Sequence, residues 1–543
     1  MANRRRGRTL CRRAQVGAAV VCLGVLGAVL PGCAGTGAAT SSPSAEASLA
    51  PTPPKQPPPQ LTRAQVGTAV GRLDGLVGDA MRKTGVPGVA VGVVHQGKVV
   101  YAKGFGVREL GKSGKVGPGT VFQLASLSKP LSSTVVSGAV GRGVVGWNDR
   151  IAVHDPGFAL KDPYVTANVT VADLFSHRSG LPDHAGDLLE DLGYQRDYIL
   201  GHLRLEPLTA FRATYAYTNY GLTEAGVAVA DAAKTSWPRL AADTLFKPLG
   251  MGHSSYRRTD YDKAADKASA HVEVDGRWKP STTENADSQA PAGGASSNVD
   301  DLSRWMRLQL ANGAFDGKQL VDPAALDQTR IPHAVAMDPL APAGEPGFYG
   351  LGWNVGYDER GRLRLNHSGA FDLGAATEVT LLPSERLGIV VLTNGQPIGV
   401  PEAVAAAFFD IAQNGRQTVD WLAFYRKVVQ AAAYTGRSPT NYAEPPAKAA
   451  PARADDVYTG TYANEYYGPL TVTRDNSGKL SMTLGPLKMS FPLRHYTGDT
   501  FSYRTQGENA VGLSGVTFHT RSGKATSVTI EHLDANKLGT FSR

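Results

Sequence analysis

Phe122-Gln123-Leu124-Ala125-Ser126-Leu127-Ser128-Lys129-Pro130 carries a short strand-like run into a serine and sets a lysine three residues after it. Pro130 belongs in the first turn of a helix, because deeper in it would remove a backbone hydrogen bond and clash with the turn before it. Ser126 is therefore expected at a helix entrance, where unpaired N–H groups and the helix dipole favour a developing negative charge. One turn on, Lys129 is within side-chain reach of the hydroxyl. A lysine whose pKa is lowered by burial can accept or relay the serine proton. Ser-x-x-Lys arises by chance about once in a chain of this length, so the stretch gains meaning only from what surrounds it.

The block from about 64 to 415 alternates helix and strand signals. Val66, Val70, Leu73, Val77 and Met81 mark one face of an opening helix. Pro87-Gly88 breaks it before two strands, 89–94 and 99–105, joined by the turn His95-Gln96-Gly97. A helix-rich middle runs from about 126 to 250. Strand signals return at 349–355, 363–366, 378–382 and 388–392, and a helix at 401–413 closes the block. Strands at both ends with helices between them predict an α+β domain whose sheet is assembled from distant segments. An amphipathic stretch at 418–433 leads to a Pro/Ala-rich linker, about 436–454. Short alternating strands then follow, with turns at Asp475-Asn476-Ser477-Gly478 and Ser522-Gly523. They predict a small all-β module, sandwich or barrel.

Two further clusters lie behind Ser126 in order. In Tyr217-Thr218-Asn219, a tyrosine beside a cationic lysine can exchange protons with the serine and with a leaving group, and the Asn219 amide can donate to a substrate carbonyl. In Asn366-His367-Ser368-Gly369-Ala370, at the end of a strand pattern, Gly369 permits close backbone approach and the next N–H can point at an oxyanion. Decoys share these patterns: Tyr462-Ala463-Asn464 in the β module, His95-Gln96-Gly97 in a hairpin turn, and His184-Ala185-Gly186 and Lys112-Ser113-Gly114 in polar, irregular stretches.

The net charge of the 543 residues is +8, with 42% hydrophobic and 19% charged residues, a globular composition. Arg4, Arg5, Arg6, Arg8, Arg12 and Arg13 carry six of those charges, and the remainder gives no reason to expect nucleic acid. Those arginines precede an apolar stretch, 16–30, short for a membrane span of ~20 residues. Leu30-Pro31-Gly32-Cys33-Ala34 follows. This has the parts of a secretory signal and resembles a bacterial lipobox, with Pro31 an unusual occupant. Residues 1–33 are read as a lipoprotein signal peptide with Cys33 lipidated, so the chain is expected to be exported and anchored to the membrane by lipid in the cell envelope, or else secreted. Cys11, Cys22 and Cys33 are the only cysteines, leaving none for a disulfide after processing. The Pro/Ser/Ala-rich stretch 34–62 reads as an extended stalk.

In combination, Ser126-Leu127-Ser128-Lys129, Tyr217-Thr218-Asn219 and His367-Ser368-Gly369 resemble the serine β-lactamase and penicillin-binding-protein superfamily, in its class C-like, CubicO-type branch. Leu174-Phe175-Ser176-His177-Arg178-Ser179-Gly180-Leu181-Pro182, Pro248-Leu249-Gly250-Met251, Pro291-Ala292-Gly293-Gly294 and Gly350-Leu351-Gly352-Trp353 agree with it. The resemblance implies an antiparallel sheet flanked by helices, plus an all-helical subdomain, over 63–415. It also implies Ser126 as nucleophile, Lys129 and Tyr217 as the proton-transfer pair, and an oxyanion hole from the N–H groups of Ser126 and Ala370. Asn219, His367, Ser368 and Gly369 are then substrate-binding. Residues 416–454 become a helix and linker, and 455–543 are similar to a lipocalin-like β domain.

One departure matters. Class C β-lactamases carry Lys-Thr-Gly where this chain has His367-Ser368-Gly369, and a histidine is mostly neutral near pH 7. The expectation moves from antibiotic hydrolysis to a D-amino-acid peptidase, of carboxypeptidase or aminopeptidase type, or an esterase. A β-lactamase and a low-turnover penicillin-binding protein are the alternatives. No Gly-x-Ser-x-Gly elbow or His-Glu-x-x-His motif occurs, so no α/β-hydrolase, metal or cofactor is expected. His177 reads as a structural residue of its loop. Tyr462, Tyr466 and Tyr467 read as module core or strand surface and not as a sugar platform. Partners are a small-molecule or peptide substrate and the membrane, with a homo-oligomer left open.

Overall fold

The computed structural model describes residues 59–339, 345–433, 436–475 and 477–543. The signal peptide, Cys33 and the stalk up to residue 58 lie outside them. Among the described residues no helix is long and apolar enough to cross a membrane.

Helix α1 (Arg63–Thr84) opens with a capping box, Thr62 and Gln65 bonding each other's backbone N–H, and stops at Gly85 in the left-handed conformation. Its apolar face lies on a sheet of eight antiparallel strands: β1 (Gly88–His95), β2 (Lys98–Gly106), β3 (Ala334–Met337), β4 (Gly347–Tyr349), β5 (Asn354–Tyr357), β6 (Leu363–Phe371), β7 (Ala375–Leu382) and β8 (Leu387–Thr393). Their order is β2-β1-β8-β7-β6-β5-β4-β3, with Val89 opposite Thr393 and Ala370 opposite Ala376. The predicted assembly from distant segments is what this order describes.

The central strands β1, β7 and β8 are buried on both faces, because helices cover both. Val89, Val91 and Val93 pack with α1 and with α6 (Val400–Asn414) on one side. Ala90 and Val94 pack with α5 (Val299–Leu310) on the other. Gly92 allows that approach, since a Cβ there would meet Val299 Cγ1 at 2.6 Å. Between β2 and β3 the chain forms the helical region, which includes α2 (Ser128–Gly141), α3 (Asp187–Asp191) and α4 (Asn219–Ala232).

The strand expected at 349–355 breaks in two. Gly350-Leu351-Gly352-Trp353 is a buried turn between β4 and β5, with Gly352 at φ +80 and the Trp353 ring stacked on Trp305. Its apolar residues serve packing and not a ladder, and periodicity alone does not separate the two. The strand expected at 363–366 is longer, so His367-Ser368-Gly369-Ala370 lies within β6 and not beyond its end.

Helix α7 (Trp421–Ala433) is tied to α6 by Trp421 Nε1 donating to Asp410 at 2.9 Å. The stretch read as a linker, 436–454, lies against the β module: Tyr442 is buried beside Gly515 and Tyr496, and Ser438 Oγ donates to Glu531. The module has a four-stranded sheet, β9 (Gly460–Tyr462), β10 (Leu470–Arg474), β11 (Leu480–Leu484) and β12 (Met489–Pro492). The other sheet has five strands, β13 (Arg494–Thr497), β14 (Thr500–Arg504), β15 (Leu513–Arg521), β16 (Lys524–Ile530) and β17 (Thr540–Ser542). A bridge between Ala463 and Ser542 joins them around Tyr458, Tyr462, Phe501, Phe518 and Phe541. Tyr466 and Tyr467 are buried too, but at the seam with the helical region. The Tyr466 hydroxyl bonds Glu206, and the Tyr467 carbonyl accepts from Tyr194 at 2.8 Å.

Candidate active site

Ser126 sits in the middle of a 3₁₀ turn, Ala125–Leu127, that runs straight into α2. Ala125 before it is held at φ +48, a conformation a residue with a Cβ rarely adopts. Pro130 falls in the first turn of α2, where a missing N–H costs nothing. Lys129 is fully buried beneath the serine. Its Nζ donates to Ser126 Oγ at 3.1 Å, Asn219 Oδ1 at 2.7 Å and the Ala292 carbonyl at 3.1 Å. Tyr217, on the segment leading into α4, donates its hydroxyl to Ser126 Oγ at 2.8 Å.

Burial pushes the Lys129 ammonium down to about 7, and Asp187 opposes that by favouring the cation. Asp187 was not singled out in the sequence. It stands on α3, accepts from Asn219 Nδ2 at 2.9 Å and bonds His184 Nδ1 at 2.7 Å. It thus turns Asn219 so that Oδ1, the acceptor, faces the lysine. Asn219, read as a donor to substrate, spends both ends of its amide inside the protein.

Strand β6 crosses over the nucleophile turn. At Gly369 a Cβ would run into the Leu124 carbonyl and the Thr377 hydroxyl, and would lie 3.0 Å from Leu127 N, so only glycine lets the strand come so close. β5 pairs with β6 no further than Asn366, which leaves the edge from His367 to Phe371 without a strand neighbour on that side. Ala370 lies on this free edge, one residue from the glycine that touches the Ser126 turn.

His367 and Ser368 are placed differently from the sequence expectation. His367 is 1% exposed, with Nδ1 2.6 Å from the Ser368 carbonyl and Nε2 2.9 Å from the Tyr349 hydroxyl. A carbonyl can only accept, so Nδ1 carries the proton and Nε2 accepts from Tyr349. Burial, and then the charge of Lys129, push the ring down to about 3, so it is neutral. Ser368 points to the opposite face of β6, as strand alternation requires, and donates to Glu378 at 2.7 Å. Neither side chain offers a free donor or a charge to a ligand.

His177 holds the tyrosine. Its Nδ1 accepts from Thr218 N at 3.1 Å and its ring lies 4.5 Å from that of Tyr217. Burial pushes it well below the usual histidine range. Among the described residues no cluster of His, Cys, Asp or Glu could hold a metal ion. The decoy Tyr462 bonds the Tyr458 carbonyl inside the β module. Around the site the acidic side chains Asp183, Glu284 and Asp372 are all pushed up by burial.

A family model described as Beta-lactamase matches residues 73–412, and one described as a domain of unknown function (DUF3471) matches 444–540. Protein flp of Staphylococcus aureus is 26% identical over 343 residues, 61% of this chain, and the match spans 64% of that protein's length. An unguisins hydrolase of Aspergillus violaceofuscus is 25% identical over 479 residues, covering 80% of this chain and 82% of its own. The octameric penicillin-binding protein homologue of Pyrococcus abyssi shares the fold with a TM-score of 0.56 at 18% identity, over 87% of this chain and 100% of its own. A class C beta lactamase of Rhodobacter sphaeroides does so at 0.51 and 21% identity, over 62% of this chain and 98% of its own.

Proposed function

Because the chain belongs to the beta-lactamase family of serine hydrolases, we propose that Ser126 attacks an amide or ester carbonyl and is transiently acylated. The observation that carries this reading is the convergence of Lys129 Nζ and Tyr217 Oη on one serine oxygen, at 3.1 and 2.8 Å. The serine proton passes to neutral Lys129 as Oγ bonds the carbonyl carbon. The N–H groups of Ser126 and Ala370 receive the oxyanion. Tyr217, resupplied by the lysine, protonates the departing amine or alcohol, and water then attacks the acyl-serine by the reverse route.

The substrate we propose is a D-amino-acid amide with a free amino group, or a small ester. His367 is neutral and has both ring nitrogens engaged, so the third motif has no cation for a substrate carboxylate. This weighs against the carboxypeptidase and β-lactamase readings, whose substrates present a carboxylate. We also propose that lipid on Cys33 holds the chain at the cell envelope, on the strength of the Leu30-Pro31-Gly32-Cys33 signal. Fatty-acid labelling lost in Cys33→Ser tests that.

For the chemistry, the purified chain is incubated with p-nitrophenyl acetate, D-alanyl amides, D-Ala-D-Ala peptides and nitrocefin. The expected result is turnover of the first two and an acyl adduct mapped to Ser126. Turnover unchanged in Ser126→Ala would refute it.

A further inference from the structure

The β module reaches the site through one loop, 505–512, between β14 and β15. Its neck is closed by Thr505, whose N–H donates to the Gly512 carbonyl at 2.8 Å and whose Oγ1 accepts from Val511 N and Gly512 N at 2.8 and 3.0 Å. At its tip Gly507 lies on Asp191, the last residue of α3. A Cβ there would stand 2.6 Å from the Asp191 carboxyl carbon, and its φ of +103 suits glycine alone. Asp191 accepts from Glu508 N at 2.9 Å and Asn509 N at 3.0 Å. The Glu508 side chain turns the other way: Oε1 accepts from Asp372 N at 2.6 Å and Oε2 from Leu373 N at 3.1 Å. Asp372 and Leu373 form the turn that leaves β6, two and three residues after Ala370.

We propose that Glu508 is a positioning residue of the active site, a side chain from the β module whose two carboxyl oxygens fix the β6–β7 turn and, through it, the Ala370 N–H over Ser126. Helix α3 closes the circuit. Asp187 at its start holds Asn219 against Lys129, and Asp191 at its end holds the loop that holds the β6–β7 turn. Lysine and oxyanion strand are thereby referred to one short helix. Without the loop, the free edge of β6 beyond Asn366 has no strand to steady it on the nucleophile side. Burial and the neighbouring Asp372 and Glu284 hold the Glu508 carboxyl well above its usual range, although the two backbone N–H bonds oppose them; either protonation state keeps oxygen lone pairs for those N–H groups.

This inference rests on the reading of Ser126 as the acylated residue, and the test separates the two. Full-length parent, Glu508→Ala and Glu508→Gln are compared for p-nitrophenyl acetate turnover, for affinity toward phenylboronic acid, which adds to a serine as a tetrahedral anion, and for amide exchange. The expected result for Glu508→Ala is a kcat lower by about ten- to a hundredfold with KM little changed, since a small displacement of an oxyanion donor acts on the transition state. Boronate affinity falls in parallel, and the amides of 372–374 exchange faster. Glu508→Gln, with one acceptor oxygen left, lies between. Parental kcat and boronate affinity in Glu508→Ala overturn the positioning role and leave Ser126 untouched. A rate loss matched only by a lower urea midpoint, with boronate affinity kept by the folded fraction, overturns it as well. A parent that never acylates at Ser126 overturns both readings.

Discussion

Lys129 Nζ stands 4.5 Å from the centroid of the Tyr217 ring, and both groups reach the same Ser126 oxygen. The face of the ring and the Asp187 carboxylate favour a charged lysine, and full burial disfavours it more strongly, so the balance falls near neutrality. The site is therefore poised between a lysine that can take the serine proton and one that cannot.

Acylation should rise with pH through a midpoint near 7 as Lys129 loses its proton. The sign extends to stability. The unfolded chain keeps this proton up to about 10.4, so between about 7 and about 10 it binds more protons than the folded chain and stability climbs with pH. Single-turnover rates and urea midpoints across pH 5.5–10 check both. A flat rate profile, or a slope that persists in Lys129→Met, refutes the assignment.

Asp187→Asn should move that midpoint to lower pH, because the carboxylate now favouring the lysine cation is gone. A shift upward would mean that Asp187 acts on another group.

Tyr217→Phe removes the 2.8 Å bond to Ser126 and leaves the ring against His177. Acylation should fall by about 10²–10⁴, the usual worth of a positioned general acid–base group. The thermal midpoint should stay within a few degrees of the parent's. Stopped-flow ester hydrolysis and calorimetry measure the two.

At the end of β7 remote from the nucleophile, Arg362 is completely buried and bonds Glu385 at 2.7 Å, and Glu385 also accepts from Gln60 N and Leu61 N. Asp358 stays paired with Arg362 in Glu385→Ala, so the loss is that of the bonds Glu385 accepts from the guanidinium and from the N–H groups of Gln60 and Leu61, and it should cost about 1–3 kcal/mol in urea unfolding. The folded fraction should keep its turnover per molecule.

The chemistry was legible where it is local. Ser126 and Lys129 are one helical turn apart, and Tyr217-Thr218-Asn219 and His367-Ser368-Gly369 declare themselves within three residues each. What the sequence hides is orientation and the distant partner. Asn219 reads as a donor to substrate because nothing in its neighbourhood announces Asp187 on another helix. His367 reads as a ligand contact because its burial under Tyr349 depends on β4. Ser368 lies on the far face because the motif falls inside a strand that runs five residues beyond its expected end, to Phe371. Ala292 and Glu508 act through a carbonyl and through backbone N–H groups that no pattern of residue types encodes. The hairpin of β1 and β2 and the turns of the β module were readable, while the break at Gly350–Trp353 was not, since its apolar residues pack a buried turn.

The order of the sheet also sets when the chain can become reactive. β1 is the first strand of the sheet to be synthesised, yet one of its two neighbours is the last, Val89 lying opposite Thr393. Closing a loop of that span precedes any pairing that rewards it, so folding is slow and late. Until then Val91 and Val93 belong to an unpaired apolar edge that invites association with other chains. The Ser126 turn is closely approached by Gly369 of the strand Leu363–Phe371, so a chain that ends before this strand lacks one of the surfaces against which the nucleophile is set.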